Sequence, residues 1–240
     1  MGIEAELEGA FGAADAEHFA WQTQHPYVGP REAALVRAAF EPIGARVLDL
    51  GCAEGATLWH LRPPPGAVGL DVFETKLAFA REAVPGVRFV QGSAYALPFD
   101  DARFDHVLVR DVIHHLERPA DALAEIRRVL EPGGRLDVLE TCGKNPLVAL
   151  HALTNKAERG ELRSSRRWLE RELRVAGFTP LLATHHQGLP IHRVVFHPKL
   201  GAPRLGGSAL ATRLVAGFER LADALVPRSF RAYVHLRAKR

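Results

Sequence analysis

Arg46 to Gly55 reads R-V-L-D-L-G-C-A-E-G. Val47, Leu48 and Leu50 form a short apolar run suited to a strand buried on both faces, and it ends in Gly51, which needs no room for a side chain. Ala56 to Leu61 can be helical. A tight strand-to-helix turn between the two leaves the N–H groups of Gly51 to Gly55 and of the helix start free to meet a ligand. Open α/β sheets bind their cofactors at such a turn, at the carboxyl end of a central strand. A dinucleotide fingerprint would need glycine at 51, 53 and 56, and the chain has Ala53 and Ala56. No Lys-Ser or Lys-Thr pair makes a P-loop here. Asp49, two positions before the first glycine, is unhelpful for phosphate and suits a cationic or amine-bearing ligand.

Strands and helices alternate outward from this turn. P-P-P-G breaks the chain before A-V-G-L-D, a second strand ending at Asp71 about 20 residues past the glycine turn, where Rossmann-like sheets place an acid for ribose hydroxyls. Asp71 also precedes a helical stretch, Glu74 to Ala83, and can cap it. V-R-F-V-Q is the third strand, and Asp105 to Val109 the fourth, with Arg110, Asp111, His114 and His115 at its carboxyl end. Pro119 to Leu130 has the apolar spacing of an amphipathic helix, Pro132-Gly133-Gly134 reads as a turn, and R-L-D-V-L-E as the fifth strand. The alternation predicts a parallel sheet.

These segments, in this order, resemble the class I (seven-stranded, Rossmann-like) S-adenosylmethionine-dependent methyltransferases of the small-molecule type. The resemblance rests on the D-L-G-x-x-x-G turn, on G-S-A-Y-A-L-P-F at 92–99, and on L-E-P-G-G-R-L at 130–136, and it covers roughly residues 44–140. It implies a doubly wound, mostly parallel seven-stranded α/β sheet with helical insertions after strand five and between strands six and seven. It implies S-adenosylmethionine as cofactor, with Asp49, Gly51, Ala53 and Gly55 at the methionine end, Asp71 and Val72 at the ribose, Ser93 and Ala94 at adenine, and Arg110 touching the methionine moiety through its backbone. Ala53 stands where the family usually has its middle glycine, and Ser93 where it usually has aspartate. A serine hydroxyl can meet one edge of adenine without a charge-assisted contact. His114 and His115 border the methyl position in this reading and are candidate bases, since imidazole titrates near neutrality.

Residues 1–43 read as a helical cap, with Phe19, Trp21, His25 and Tyr27 close together and Pro30 opening a helix to about Phe40. Trp21, Gln22 and Tyr27 pack this cap or, as the resemblance implies, line the substrate pocket. Residues 44–142 form the cofactor-binding core, and 143–240 carry the insertions with strands six (F-T-P-L-L-A-T-H-H) and seven (A-Y-V-H-L-R-A). Asn145-Pro146 starts a helix expected to run to Ala157, and Ser165 to Ala176 another. Ser208 to Val226 is amphipathic, with Leu210, Leu214, Phe218, Leu221 and Leu225 on one stripe. The expectation is that this stripe packs onto the protein's own surface. The alternative is a membrane-facing or partner-facing helix accompanied by Arg213, Arg220, Arg228 and Arg231.

A chain of 240 residues with 47% hydrophobic and 25% charged residues is of globular composition. No run approaches the roughly 18 apolar residues of a membrane span. An acidic start, M-G-I-E-A-E-L-E, without an apolar signal core, and two distant cysteines, Cys52 and Cys142, indicate a cytoplasmic protein rather than a disulfide framework. Residues 1–150 hold 14 Lys or Arg against 22 Asp or Glu, and residues 151–240 hold 17 against 6. The basic half is either a solvated Arg-rich surface or a face for an anionic substrate, a lipid surface or nucleic acid. Twelve histidines include His185, His186, His192 and His197, but no H-E-x-x-H or paired C-x-x-C supports a metal site.

The expected function is transfer of a methyl group to an O, N or C nucleophile of a small organic or lipid-like substrate. The rivals are an RNA methyltransferase using the basic half and a non-catalytic S-adenosylmethionine-binding regulator. No N-P-P-Y-type tetrapeptide or RNA-binding module supports a nucleic-acid substrate.

Overall fold

The computed structural model describes residue 9 and residues 11–240; the acidic N-terminal octapeptide lies outside the described residues. Helices α1 (Ala16–Thr23) and α2 (Val28–Phe40) lead into β1 (Val47–Leu50), α3 (Ala56–Leu61), β2 (Val68–Asp71), α4 (Glu74–Ala83), β3 (Arg88–Gln91) and β4 (Phe104–Arg110). A short 3₁₀ turn, Ile113–His115, then precedes α5 (Pro119–Val129) and β5 (Leu130–Thr141). The remainder is α6 (Pro146–Thr154), a 3₁₀ helix Lys156–Arg163, α7 (Arg166–Val175), β6 (Thr179–His186), α8 (His192–Val195), a 3₁₀ turn Pro203–Gly207, α9 (Ala209–Leu225), a 3₁₀ turn Arg228–Phe230 and β7 (Tyr233–Lys239).

The seven strands form one sheet in the order β3-β2-β1-β4-β5-β7-β6. All neighbours among β1 to β5 are parallel, and β7 runs antiparallel between β5 and β6. Every residue of β1 and β2 is buried, which explains their unbroken apolar reading. Strand order reverses between β1 and β4, so the loops after these two strands diverge to opposite faces and open a crevice at the carboxyl edge. The main core packs Leu48, Leu50, Val107, Val109, Val138 and Leu236 against Leu123, Ile126 and Leu169 of the covering helices.

Four sequence expectations change in detail. The Pro132-Gly133-Gly134 turn lies within the β5 pairing, which begins at Leu130 and shifts register between Phe104 and His106, with Gly133 at φ +79°. The helix begun at Asn145 stops at Thr154, because Asn155 caps the following 3₁₀ helix by accepting the Ala157 N–H at 3.2 Å. The cap is not confined to its own end of the chain: Trp21, Tyr27 and Val28 share a cluster with Phe196 and Val215 from the insertion between β6 and β7. The largest correction concerns α9. Its leucine stripe does not pack on the protein's own surface; Leu210, Leu214 and Leu225 are 70%, 66% and 71% exposed, and only Val215 and Ala222 are buried. The stretch between β6 and β7 is held at the 3₁₀ turn, where His25 bonds the Pro203 carbonyl at 2.9 Å, and on the inner side of α9, where Glu219 bonds Tyr27, Arg31 and His192, so the outer face of α9 is left without a cover among the described residues.

Candidate active site

The turn after β1 has the shape its glycines imply. Gly51, Ala53 and Gly55 all have positive φ, at +73°, +47° and +85°. A Cβ at Gly51 would run into the Val112 side chain from the loop after β4, so only glycine lets these two loops approach. Asp71 fixes the turn from the neighbouring strand: one carboxylate oxygen accepts the Ala53 N–H at 2.9 Å and the other the Phe73 N–H at 3.0 Å. The expected helix cap is not made, since α4 starts at an N-cap Phe73 with no side-chain bond; Asp71 instead fixes the turns on either side, and each of its oxygens retains a second lone pair. Val72, next in sequence, is exposed on this rim. Glu54 ties the turn to the cap, accepting the Asp15 N–H at 3.0 Å and lying 3.2 Å from Lys76 Nζ.

Asp49 is fully buried beneath the turn, and its Oδ2 has no hydrogen-bond partner among the described residues. Burial, reinforced by the charge of Asp71, pushes its carboxyl up to about 7 against the pull of Arg110. Arg110, Glu32 and Arg193 form a buried ion cluster beside it, with Arg110 and Arg193 each 2.5 Å from one Glu32 oxygen. Burial would raise the Glu32 carboxyl, but the two guanidinium groups hold it down at about 2. Two more orphan atoms in this region are Asp111 Oδ1 and Arg193 Nε. An unpaired carboxylate and an unpaired guanidinium N–H together match an amino-acid end, with its ammonium and carboxylate.

At the position expected to meet adenine, the Ser93 hydroxyl accepts the Tyr95 N–H at 3.2 Å, and Ala94 is partly buried against the main core. Trp21 and Tyr27 are both buried in the cap. The Tyr27 hydroxyl donates to Glu219 at 3.2 Å, whereas Trp21 Nε1 has no partner among the described residues.

His114 and His115 sit side by side, ring centroids 4.0 Å apart, in very different settings. His114 is sealed between Glu140 (2.5 Å from Nδ1) and Glu158 (3.3 Å from Nε2). Burial alone would depress it; the two carboxylates override this and hold it well above its usual value, so both ring nitrogens are donors at neutral pH. His115 is driven down to about 4 by burial and by the neighbouring imidazolium, and is neutral. Its Nδ1 has no partner among the described residues, and Phe11 meets its ring edge-on at 5.3 Å. Only His115 of the pair has a lone pair to offer. The sequence spacing gave no metal site, but folding brings one ligand atom each from His114, His115 and Glu158 within 4.8 Å of one another. Of these atoms, His114 Nε2 and the Glu158 carboxylate are already paired in a charge-assisted hydrogen bond, and His115 Nε2 lies 3.7 Å from the same oxygen.

Sequence reasoning missed Glu140, Glu158, Glu32 and Arg193. Glu140 accepts the Val112 and Ile113 N–H groups at 2.8 and 2.7 Å besides bonding His114, and so shapes the whole turn after β4. An acid at the carboxyl end of a buried strand was its available signal. Glu32 sits in an ordinary helical R-E-A-A-L and Arg193 in a remote insertion, and neither position carries any local mark.

The β1 turn, the acid closing β2 and the antiparallel seventh strand together define the class I S-adenosylmethionine-dependent methyltransferase fold. Residues 48–138 match the family described as Methyltransferase domain. Over 114 residues the chain is 36% identical to a phthiotriol/phenolphthiotriol dimycocerosates methyltransferase of Mycobacterium tuberculosis, covering 45% of this chain and 42% of that one. Over 112 residues it is 40% identical to a demethylmenaquinone methyltransferase of Thermus thermophilus, covering 44% and 51%. The chain thus spans about half or less of the length of these curated relatives. A solved structure of a possible histamine N-methyltransferase from Thermotoga maritima superposes with a TM-score of 0.66 at 22% identity, over 93% of this chain and 94% of that one. No helix among the described residues is long and apolar enough to cross a membrane.

Proposed function

We propose that this protein is an S-adenosylmethionine-dependent methyltransferase acting on an oxygen, nitrogen or carbon nucleophile of a small organic or lipid-like molecule. The observation that carries the reading is the buried Asp49 carboxyl, whose Oδ2 has no partner among the described residues, beneath a turn whose own N–H groups at Gly51, Ala53 and Gly55 are taken up by Leu70, Asp71 and Cys52; Arg193 Nε is likewise unpartnered among the described residues. These groups fit the zwitterionic methionine end of the cofactor. Asp49, Gly51, Ala53, Gly55 and the Arg110 backbone would hold that end, Asp71 and Val72 the ribose, and Ser93 and Ala94 the adenine. The cofactor, when bound, supplies a methyl group on a sulfonium that is already a good leaving group.

The chain's own work is then to align the nucleophile, exclude water and accept a proton where the nucleophile carries one. The cap, with Trp21 and Tyr27, closes the crevice over the turn through the Asp15–Glu54 bond. Glu140 and the His114 imidazolium set the loop after β4, and His115 Nδ1 is the proton acceptor in this assignment. The two curated relatives, named as a phthiotriol/phenolphthiotriol dimycocerosates methyltransferase and a demethylmenaquinone methyltransferase, support the lipid-like substrate. Buried, unpaired Cys52 and Cys142 support a cytoplasmic location.

Titration calorimetry with S-adenosylmethionine, S-adenosylhomocysteine and NAD tests this reading. Saturable binding of the first two alone is expected, weakened about 10- to 100-fold in Asp71→Ala by loss of charge-assisted hydrogen bonds. Absence of binding to either would overturn the cofactor assignment, and unchanged affinity in Asp71→Ala would overturn the ribose role.

A further inference from the structure

Two features in the segments around β6 and β7 have no part in the chemistry above. The first is the outer face of α9. At 100° per residue, Leu210, Leu214, Phe218, Leu221 and Leu225 fall within an arc of roughly 80°. All five are exposed, and the helix is anchored behind them by Val215 and Ala222. Arg213 and Arg220 border the stripe on one side, both exposed and, among the described residues, without a salt bridge. An exposed apolar strip this continuous is uncommon on a surface that meets only water.

The second is a cavity of about 800 Å³ reached from the C-terminal end of the same helix. Lys144, Arg166, Arg167, Arg228 and Arg231 contribute its charge, and His185 lines it. Arg166 is paired with Glu170 at 2.7 Å, and Arg231 donates to the Asp223 carbonyl at 2.8 Å; Arg167, Arg228 and Lys144 form no salt bridge among the described residues. His185 is depressed by burial and then by Arg166, Arg231, Arg228 and Lys144, the mark of positive charge without a counter-charge. Phe230 is exposed next to the cavity residues Arg228 and Ser229.

We propose that α9 and this cationic cavity form a docking surface for an anionic phospholipid bilayer, with the leucine stripe lying among the outer acyl chains and the cavity receiving a lipid phosphate. Charge complementarity selects this occupant. A second copy of the chain would bring a basic border of the same sign to the interface and no counter-charge for it, whereas an anionic leaflet meets both the stripe and its basic border. The helix spans 17 residues and lies on the bilayer rather than crossing it. The proposal does not depend on the methyltransferase reading, because neither feature touches the glycine turn.

The test is sedimentation of the purified full chain with vesicles of phosphatidylcholine alone and of phosphatidylcholine mixed with phosphatidylglycerol, read beside light scattering without vesicles. Binding is expected with the mixed vesicles, little with phosphatidylcholine alone, and less as salt rises. Arg213→Ala with Arg220→Ala should lower the partition coefficient roughly 10- to 30-fold, near five-fold per arginine. Leu214→Ser with Leu221→Ser should abolish binding while leaving the thermal melt and cofactor titration unchanged, since both side chains are exposed. Arg167→Ala with Arg228→Ala separates the sources of phosphate. If inorganic phosphate saturates the cavity and vesicles do not bind, the ligand is a free phosphate and the proposal fails. It also fails if the stripe variants bind vesicles like the parent, or if scattering shows a dimer that the stripe substitutions dissociate.

Discussion

At φ +47°, Ala53 holds a conformation that glycine adopts freely and that is strained for any residue with a Cβ. Its N–H is nevertheless placed for Asp71, so the loop keeps its shape in spite of the alanine. Ala53→Gly should therefore leave the turn unchanged and raise stability by up to about 1 kcal/mol, offset in part by the greater freedom of glycine in the unfolded chain. A urea midpoint shifted upward at constant slope would show this; a lower midpoint would mean that the turn is not strained at 53. Gly51 is the opposite case, for a Cβ there meets Val112 from another loop. Gly51→Ala should lose cofactor affinity at least tenfold in the calorimetric titration, with affinity equal to the parent excluding a close approach of the two loops. Both positions were legible in the sequence because backbone geometry is local. Glu32 was not, because what makes it special is contributed by Arg110 and Arg193, 78 and 161 residues away along the chain.

The turn after β4 depends on two elements that meet it from outside. Glu140 comes from the end of β5, and the 3₁₀ helix 156–163 is pressed so closely that a Cβ on Gly160 would run into the His114 carbonyl. Arg163 adds bonds to the His114 and Leu116 carbonyls at 3.1 and 2.6 Å. The stability due to the His114–Glu140 pair has a defined pH window. His114 is raised on folding, so its contribution is complete below about 6.5 and is lost as pH rises through the folded value; Glu140 is lowered, so its contribution is present above about 4.5 and is lost as pH falls. The stability difference between the parent and His114→Gln should therefore be largest between those two values and shrink on either side. A difference that does not vary with pH would show that His114 is neutral in the folded state. At this scale the sequence placed the strands and helices well, because burial pattern and capping residues are local signals. It misplaced the role of α9, because hydrophobic periodicity reports that a helix has an apolar face and not what that face meets.

Over the whole molecule, charge is arranged by edge of the sheet. The carboxyl edge carries the orphan groups of the site, and β4, β5 and β7 share a buried network centred on Asp137 of β5, in which Arg135 Nε alone has no hydrogen-bond partner among the described residues. Asp137 accepts from His106 of β4 at 2.9 Å and from His235 and Arg237 of β7 at 2.8 and 2.7 Å, and lies 2.9 Å from Arg135 Nε. It joins the parallel strands to the antiparallel one, and so links the part of the chain with clear family motifs to the part without them. Nothing in R-L-D-V-L-E marks this aspartate, since its partners come from strands 31 and 98 residues distant. Burial would raise its carboxyl, but the two imidazoles and Arg237 hold it well below the usual range. A carboxyl lowered on folding contributes stability that is present above its unfolded value near 3.8 and is lost as pH falls. Asp137→Asn leaves the surrounding cations with no counter-charge, and should cost about 3–5 kcal/mol at neutral pH. It should also flatten the acid limb of the stability curve, because the group that titrates there is gone. Urea titrations of parent and variant from neutral pH down through the carboxylate range would read both effects together. Equal stability at neutral pH would mean that the network is not what joins β7 to the sheet. A retained acid slope in the variant would move the responsible carboxylate elsewhere, to Glu32 or Glu140 at the site itself.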